Sequence, residues 1–322
     1  MRHWLTALLT ALLLFSAPGF ADAEKETVGF AGADYWRAVK GGEVGITTSG
    51  GAEHGVLINV TGEQWRTLRN TWVSPFGALA IGGSVLALLL FYLWAGQLKL
   101  AHPRTGRKVL RWTPFERALH WYTAALFLLL ALSGLILLYG KFVIRPFGDG
   151  VWGAAIQGAK LTHNYLGPLF VLGLLVMILK WLRHNLPTRV DWEWFRQGGG
   201  ILPNGKHPDA AFCNGGEKVW FWLLCCAVLC SAGLLVCITG LVLDFPLFGQ
   251  TREVMAVSNL LHGIGAIGLI AASFGHIYIG TVGTEGALEG MKSGYVDESW
   301  ARQHHRLWFE EVKEQFDKPD GR

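Results

Sequence analysis

Cysteine is scarce in this chain and poorly placed for stapling it. Among 322 residues there are five, Cys213, Cys225, Cys226, Cys230 and Cys237, all in or beside one apolar stretch. They read as small apolar packing residues. No Cys-x-x-Cys-His occurs, which excludes covalent c-type haem by that motif, and no iron–sulfur spacing occurs. Charge is scarce as well: 16% of residues are Asp, Glu, Lys or Arg, and the formal net charge is +4. No basic patch interleaved with stacking aromatics lies away from the apolar runs, so nucleic acid is not an expected partner. The apolar runs hold no carboxylate at mid-length, which argues against an ion or proton path built from acids.

Hydrophobic length is what the chain has. About half of its residues are hydrophobic, and mean hydropathy is +0.32. A bilayer-crossing helix needs roughly 20 mostly apolar residues. Five stretches qualify: 76–98, 118–139, 165–181, 219–243 and 257–281. The expected fold is therefore an all-α integral membrane protein: a four-helix transmembrane bundle with one extra N-terminal transmembrane helix. Arg2 and His3, an apolar core at 5–15 and Ala21-Asp22-Ala23 have the layout of a secretory signal peptide over 1–23. Residues 24–75 then lie outside the cytoplasm; "KGGEVG" and "TSGGAEHG" give them a turn-rich, β-like look. The extra helix at 76–98 returns the chain inward. The loop at 99–117 carries six Lys or Arg against one Glu, as the positive-inside rule asks of a cytoplasmic loop. The core spans 118–284, and a cytoplasmic tail follows over 285–322. Trp112, Trp121, Trp152, Trp181 and Trp220 fall near the expected membrane edges. A bacterial inner membrane is the expected location.

Four histidines lie inside or at the edge of the expected spans: His120, His163, His262 and His276. Polar groups there are costly and usually functional. His262 and His276 are fourteen residues apart, almost four helical turns, so they share one helix face about 21 Å apart along the axis. With alternating helix directions, His163 falls at the depth of His262 and His120 at the depth of His276. Two imidazoles facing each other across a bundle make a bis-histidine haem b site, with both axial positions filled. Gly134, Gly167, Gly263, Gly265, Gly268 and Gly275 give either room for a macrocycle or close helix packing. Zinc is a poor alternative, since it asks for three or four converging ligands. His54, His102, His184, His207, His304 and His305 are expected in solvated loops and ends. An internal echo also appears: "LSGLIL" returns as "ITGLVL", and "LTHNYLG" returns as "LLHGIGAIG".

The motifs "FERALHW", "LTHNYLG", "LRHNLP", "NGGEKVWFW", "LLHGIGAIG", "GHIYIG" and "GMKSGYVDESWARQHHRLW" resemble the gamma subunit of membrane-bound formate dehydrogenase, a dihaem cytochrome b. The likeness covers about two-thirds of the chain. It implies two haems b on the same four histidines, His163 with His262 on the outer side and His120 with His276 on the inner. It implies menaquinone or ubiquinone reduction near the inner haem, around Asn214 and His276, with Glu217 and Lys218 adjoining. An iron–sulfur beta subunit and a molybdenum- or tungsten-containing alpha subunit are the implied partners, formate being oxidised on the latter. A dihaem subunit of a hydrogenase or sulfur-compound reductase, or a haem-free anchor, are the alternatives; the "WARQHH" tail favours the first reading. The N-terminal extension departs from the compact pattern and leaves Trp36, Arg37, Trp65, Arg66 and Arg69 without an assigned role.

The signal peptide and the basic loop predict the same topology. A tag after Arg322 is expected to resist protease in intact spheroplasts, while one near Gly50 is cut. Cleavage of both from outside would reverse the orientation.

Overall fold

The computed structural model describes residues 33–41, 60–200, 207–225, 232–245 and 250–316. The chain divides into two compact units, 1–63 and 64–322. In the first, α1 (Ala33–Gly41) carries an Arg37–Asp34 ion pair. The expected signal peptide lies outside the described residues, as do Cys226 and Cys230. The β-like reading of 24–75 is corrected where the chain is described. Both α1 and α2 (Val60–Leu68) are helical, and α2 passes through a π-type turn (Arg69–Val73) into α3 (Ser74–Ala95). Once a long apolar helix exists, adding residues to its end needs no new nucleus, so the polar "TGEQW" stretch joins it.

The second unit is an all-α bundle. Beside α3 stand α4 (Pro114–Val143), α5 (Asp149–Trp181), α7 (Gly215–Cys225) with α8 (Ala232–Asp244), and α9 (Arg252–Tyr278); α6 (Arg189–Arg196) links α5 to α7. Four helical stretches, including α3, α4, α5 and α9, are long and apolar enough to cross a membrane. The expected span 219–243 is described only as α7 and α8, and the residues between them are not described. Starts differ from the sequence reading. α4 begins at Pro114, because Thr113 and Glu116 form a reciprocal capping box there. α5 begins at Asp149, sixteen residues before the apolar run, and carries Pro168 inside it. Its polar first turns looked like loop by hydropathy, but nothing in them breaks a helix. His163 is consequently a mid-helix residue.

Packing pairs α4 with α5 and α8 with α9, and sets α3 against α9. The core gathers Leu126, Phe170, Leu174, Met177, Phe221 and Leu269. Gly173 lets α5 approach α4: a Cβ there would sit 2.8 Å from Thr123 Oγ1. Such close contact is how membrane helices gain van der Waals energy. Trp65 has a definite place, donating from Nε1 to Asn259 Oδ1 at 2.9 Å, and Arg69 lies over its ring. Outward residues are apolar, with Leu93 71% and Leu179 85% exposed; a soluble surface does not carry such a continuous apolar face.

The 99–117 loop and the tail are not independent. Strand β1 (Lys108–Leu110) pairs antiparallel with β2 (Tyr295–Asp297), Val109 opposite Val296. Helices α10 (Ala287–Ser293), α11 (Glu298–His304) and α12 (Arg306–Phe316) fold around them. Val109, Val296, Trp300, Ala301, Trp308 and Phe309 bury one another there. Arg107 pairs with Glu298, donating from Nε at 2.8 Å, and Arg104 pairs with Glu289. A polar end is thus packed as a small cap on one end of the bundle.

Candidate functional site

Two pairs of imidazoles face each other inside the bundle. His163 on α5 meets His262 on α9 with ring centres 5.9 Å apart and planes at 76°. His120 on α4 meets His276 on α9 at 6.3 Å and 48°. α9 therefore carries one member of each pair, at two levels.

The first pair is held in a repeated way. Ser133 Oγ donates to Leu130 O at 3.1 Å and lies 2.9 Å from His163 Nδ1. A hydroxyl has one proton, so His163 Nδ1 carries its own and donates. On the other side, His262 Nδ1 lies 2.9 Å from the Val236 carbonyl, which only accepts, and 3.3 Å from Thr239 Oγ1. Both rings thus keep the proton on Nδ1 and turn an Nε2 lone pair into the bundle. Gly134 and Gly240 make the room: a Cβ would stand 3.2 Å from His163 Cε1 and 3.1 Å from His262 Cε1 respectively. This gives the internal echo a physical meaning. Ser133-Gly134 of "LSGLIL" cradles the histidine of "LTHNYLG", and Thr239-Gly240 of "ITGLVL" cradles that of "LLHGIGAIG". Gly240 was not singled out by sequence reasoning, although the echo pointed to it. Of the other glycines, Gly265 packs on Val236, while nothing lies within 4 Å of a Cβ at Gly268 or Gly275.

At the second level, His276 stacks on Trp220 of α7 (4.8 Å, 12°), and His120 Nδ1 is buried without a hydrogen-bond partner among the described residues. At the first level the inward Nε2 lone pairs ask for an electrophile between the rings, and at the second a buried ring nitrogen of His120 is left for a partner. A metal–imidazole bond is about 2 Å long and the ring centre lies about 1.1 Å behind the nitrogen, so trans ligands on one metal put ring centres roughly 6 Å apart. Both pairs have that spacing. No cluster of three or more His, Cys, Asp or Glu forms a metal shell among the described residues. The residues fit a bis-imidazole iron held in a flat macrocycle.

The cap meets the bundle at the head of α7. Asn214 and Glu217 form a reciprocal cap: Glu217 N donates to Asn214 Oδ1 (2.9 Å) and Asn214 N to Glu217 Oε2 (2.8 Å). The Asn214 amide NH2 is left as the donor end. Lys218 turns elsewhere. Its Nζ donates to Asp191 Oδ2 at 2.8 Å and Leu186 O at 3.1 Å, tying α7 to the 186–191 segment as a buried ion pair, and that pairing holds the Asp191 carboxyl below its usual range against the opposing effect of burial.

The residue missed by sequence is Arg111, read as one more charge in a basic loop. Its side chain is 2% exposed. The guanidinium lies 4.8 to 5.5 Å from the rings of Trp112, Phe212, Trp300 and Trp308. Nη2 donates to Phe212 O at 2.7 Å and lies 3.4 Å from Glu217 Oε1. Such a cage stabilises a cation by cation–π attraction. Burial pushes the guanidinium's proton affinity down and the Glu217 carboxyl's up, each opposed by the other's charge. The Glu217 side chain is 40% exposed. His304 and His305 correct the solvated expectation: His305 is 1% exposed, and burial holds His304 down at about 4, with His207 and Arg111 adding to it.

A family model described as prokaryotic cytochrome b561 matches residues 111–294. The chain is 30% identical over 216 residues to the formate dehydrogenase cytochrome b556(fdo) subunit of Escherichia coli strain K12, covering 65% of this chain and 96% of that protein. It is 27% identical over 214 residues to the nitrate-inducible formate dehydrogenase cytochrome b556(Fdn) subunit of the same strain, with 65% and 93% covered. To the formate dehydrogenase cytochrome b556 subunit of Haemophilus influenzae it is 26% identical over 212 residues, with 63% and 83% covered.

The half-buried His304 sets a pH response. His304 binds its proton less well folded than unfolded, so the unfolded chain takes it up first as pH falls from about 6.5. Stability is therefore lost on acidification, on the order of 1–2 kcal/mol by pH 5 from this group. The thermal midpoint of the purified protein is expected to fall between pH 7 and pH 5, and to fall less in His304→Gln. Equal falls would remove His304 as the source.

Proposed function

Because the chain belongs to the prokaryotic cytochrome b561 family, a family of multi-pass membrane haem b proteins, we propose that it is the membrane cytochrome b subunit of a respiratory formate dehydrogenase. The observation that carries this reading is the pair of facing imidazole levels on α9. In it, His163 and His262 hold one haem b, and His120 and His276 hold the other. Haem b bound there would supply one-electron transfer. The chain's own residues do the positioning. Ser133, Thr239 and the Val236 carbonyl fix the Nδ1–H tautomer, which aims Nε2 inward and raises its basicity. Trp220 holds the His276 ring by stacking.

In the bacterial inner membrane the reading puts residues 24–75 and the His163/His262 level on the periplasmic side. The 99–117 loop, the tail and the His120/His276 level are then cytoplasmic. Electrons enter from an iron–sulfur subunit, which receives them from a molybdenum- or tungsten-containing subunit that oxidises formate. They leave at the cytoplasmic end to menaquinone or ubiquinone. The names of the relatives and the near-complete coverage of their length support this assignment. At the quinone end, α7 links two parts of the site: Asn214 caps it, and Trp220 on the same helix stacks on His276. The Asn214 amide donates to a quinone oxygen, Glu217 stands behind it, and Lys218 holds the loop through Asp191.

Two tests follow. Replacing His163 or His262 by Ala is expected to remove one haem and spare the other; His120→Ala or His276→Ala is expected to remove the second. Reduced-minus-oxidised spectra with haem quantification check this, and haem loss that ignored the pairs would overturn the ligand assignment. Asn214→Ala is expected to keep both haems while slowing their reoxidation by quinone about tenfold, from a lost hydrogen bond of roughly 1 kcal/mol or somewhat more. Stopped-flow reoxidation reads it, and wild-type speed at full haem content would put the quinone elsewhere.

A further inference from the structure

Resting on the quinone-reducing reading above, we propose that His305 is a proton-relay residue, passing protons from the surface of the cap to Glu217 at the head of α7. The geometry is direct. His305 Nδ1 lies 2.8 Å from the Ala211 carbonyl, which only accepts, so Nδ1 carries the proton of the neutral ring. Nε2 is then the end that takes and releases a second proton. It stands 4.0 Å from Glu217 Oε2, one small rotation or one water from a hydrogen bond. Glu217 in turn is joined to Asn214 through the cap of α7.

Behind His305 the supply continues to the surface. His304 adjoins it in sequence, and both rings lie against Trp300, at 5.4 and 5.0 Å. His304 lies 5.7 Å from His207. His304 Nε2 and His207 Nδ1 are buried without partners among the described residues. Buried unpaired nitrogens call for water or a proton-carrying role. His207 opens onto a surface recess that it lines with His102, Arg107 and Gln303. His207, His304, His305 and Glu217 thus stand in series from solvent to α7, with Trp300 touching both middle rings.

The charges facing this file are accounted for. Arg111, from the start of the α4 segment, faces both Glu217 and His305; Lys218 acts on Glu217 from α7 itself. Cys213 lies beside Glu217 with its thiol pushed up to about 12, chiefly by burial, and stays neutral. Burial raises the Glu217 carboxyl, while burial and Arg111 lower His305. The two affinities are shifted toward each other, and the 4.0 Å between Nε2 and Oε2 is the distance the proton crosses. A structural histidine bonded to Ala211 would need no carboxylate at its second nitrogen.

The step balances simply. A quinone reduced to quinol takes two electrons, which formate supplies in the reading above, and two protons. As each O–H bond forms on the quinone, one breaks at Glu217. The Glu217 carboxylate is reprotonated by the His305 imidazolium, which regains its proton from the cap's aqueous side.

The test uses the assembled complex with formate as reductant and a soluble quinone as oxidant, followed from pH 6 to pH 9. His305→Gln keeps an amide donor for Ala211 but carries no exchangeable ring proton. Haem content and haem reduction are expected to match wild type. Haem reoxidation is expected to slow at least about tenfold at pH 8, less at pH 6, and to recover in part with added imidazole. Glu217→Gln keeps the α7 cap, since Gln serves that position equally, and is expected to slow to a similar degree without imidazole rescue. The double variant is expected to be no slower than the slower single one, because the two act in one path. Wild-type speed in either variant across the pH range, or effects that multiply in the double variant, would overturn the relay. A pH-independent loss that follows haem loss would assign His305 a structural role instead. If wild-type haems are not reoxidised by quinone at all, the functional reading fails along with the relay.

Discussion

The bundle answers to one constraint, the fixed rise of α9 between His262 and His276. Fourteen residues at helical pitch put two imidazoles on one face about 21 Å apart. Any partner for the first lies at one level and any partner for the second at the other. α5 and α4 supply them, and the ring-to-ring distances of 5.9 and 6.3 Å show how closely both are met. One straight rod thus sets the spacing of both levels, and the other helices need only present a histidine at the right height.

How that height is held differs between the levels. At the His163/His262 level the solution is used twice: a hydroxyl-glycine step on the preceding helix, Ser133-Gly134 or Thr239-Gly240, with the hydroxyl beside Nδ1 and the glycine clearing Cε1. Buried polar side chains in an apolar bundle are tolerated when each finds its partner, and here one small motif supplies both the partner and the space. At the other level aromatic stacking from Trp220 replaces the hydroxyl. The second level opens onto polar chain rather than onto more bundle.

That polar chain is organised by a buried cation. Arg111 brings together the start of α4, the segment before α7 and the helices of the tail, through four rings, one carbonyl and one carboxylate. Truncating one partner of such a network leaves a desolvated charge behind, typically a cost of several kcal/mol. The cage also bears on its neighbours' proton affinities: burial and the Arg111 charge both lower His305, while at Glu217 burial raises the carboxyl and the Arg111 charge opposes that rise. Lys218 is neutralised by Asp191 instead and serves to anchor the loop.

By itself the sequence determined the membrane class, the extent of the apolar helices to within a few turns, and the sharing of levels among four histidines. All of these rest on local periodicity: length for a span, 3.6 residues per turn for a face, alternating direction for depth. The start of α5 escaped it because polar first turns dilute hydropathy without breaking a helix. The folded end of the molecule was not legible. Arg111 meets Phe212 across 101 residues and His305 meets Ala211 across 94, and no local pattern marks which loop charge will be buried. Only tertiary structure decided that His305 is interior with His304 half-buried beside it, that Lys218 faces Asp191, and that Gly240 clears a ring, because burial and pairing of polar groups depend on which distant segments come to share one pocket.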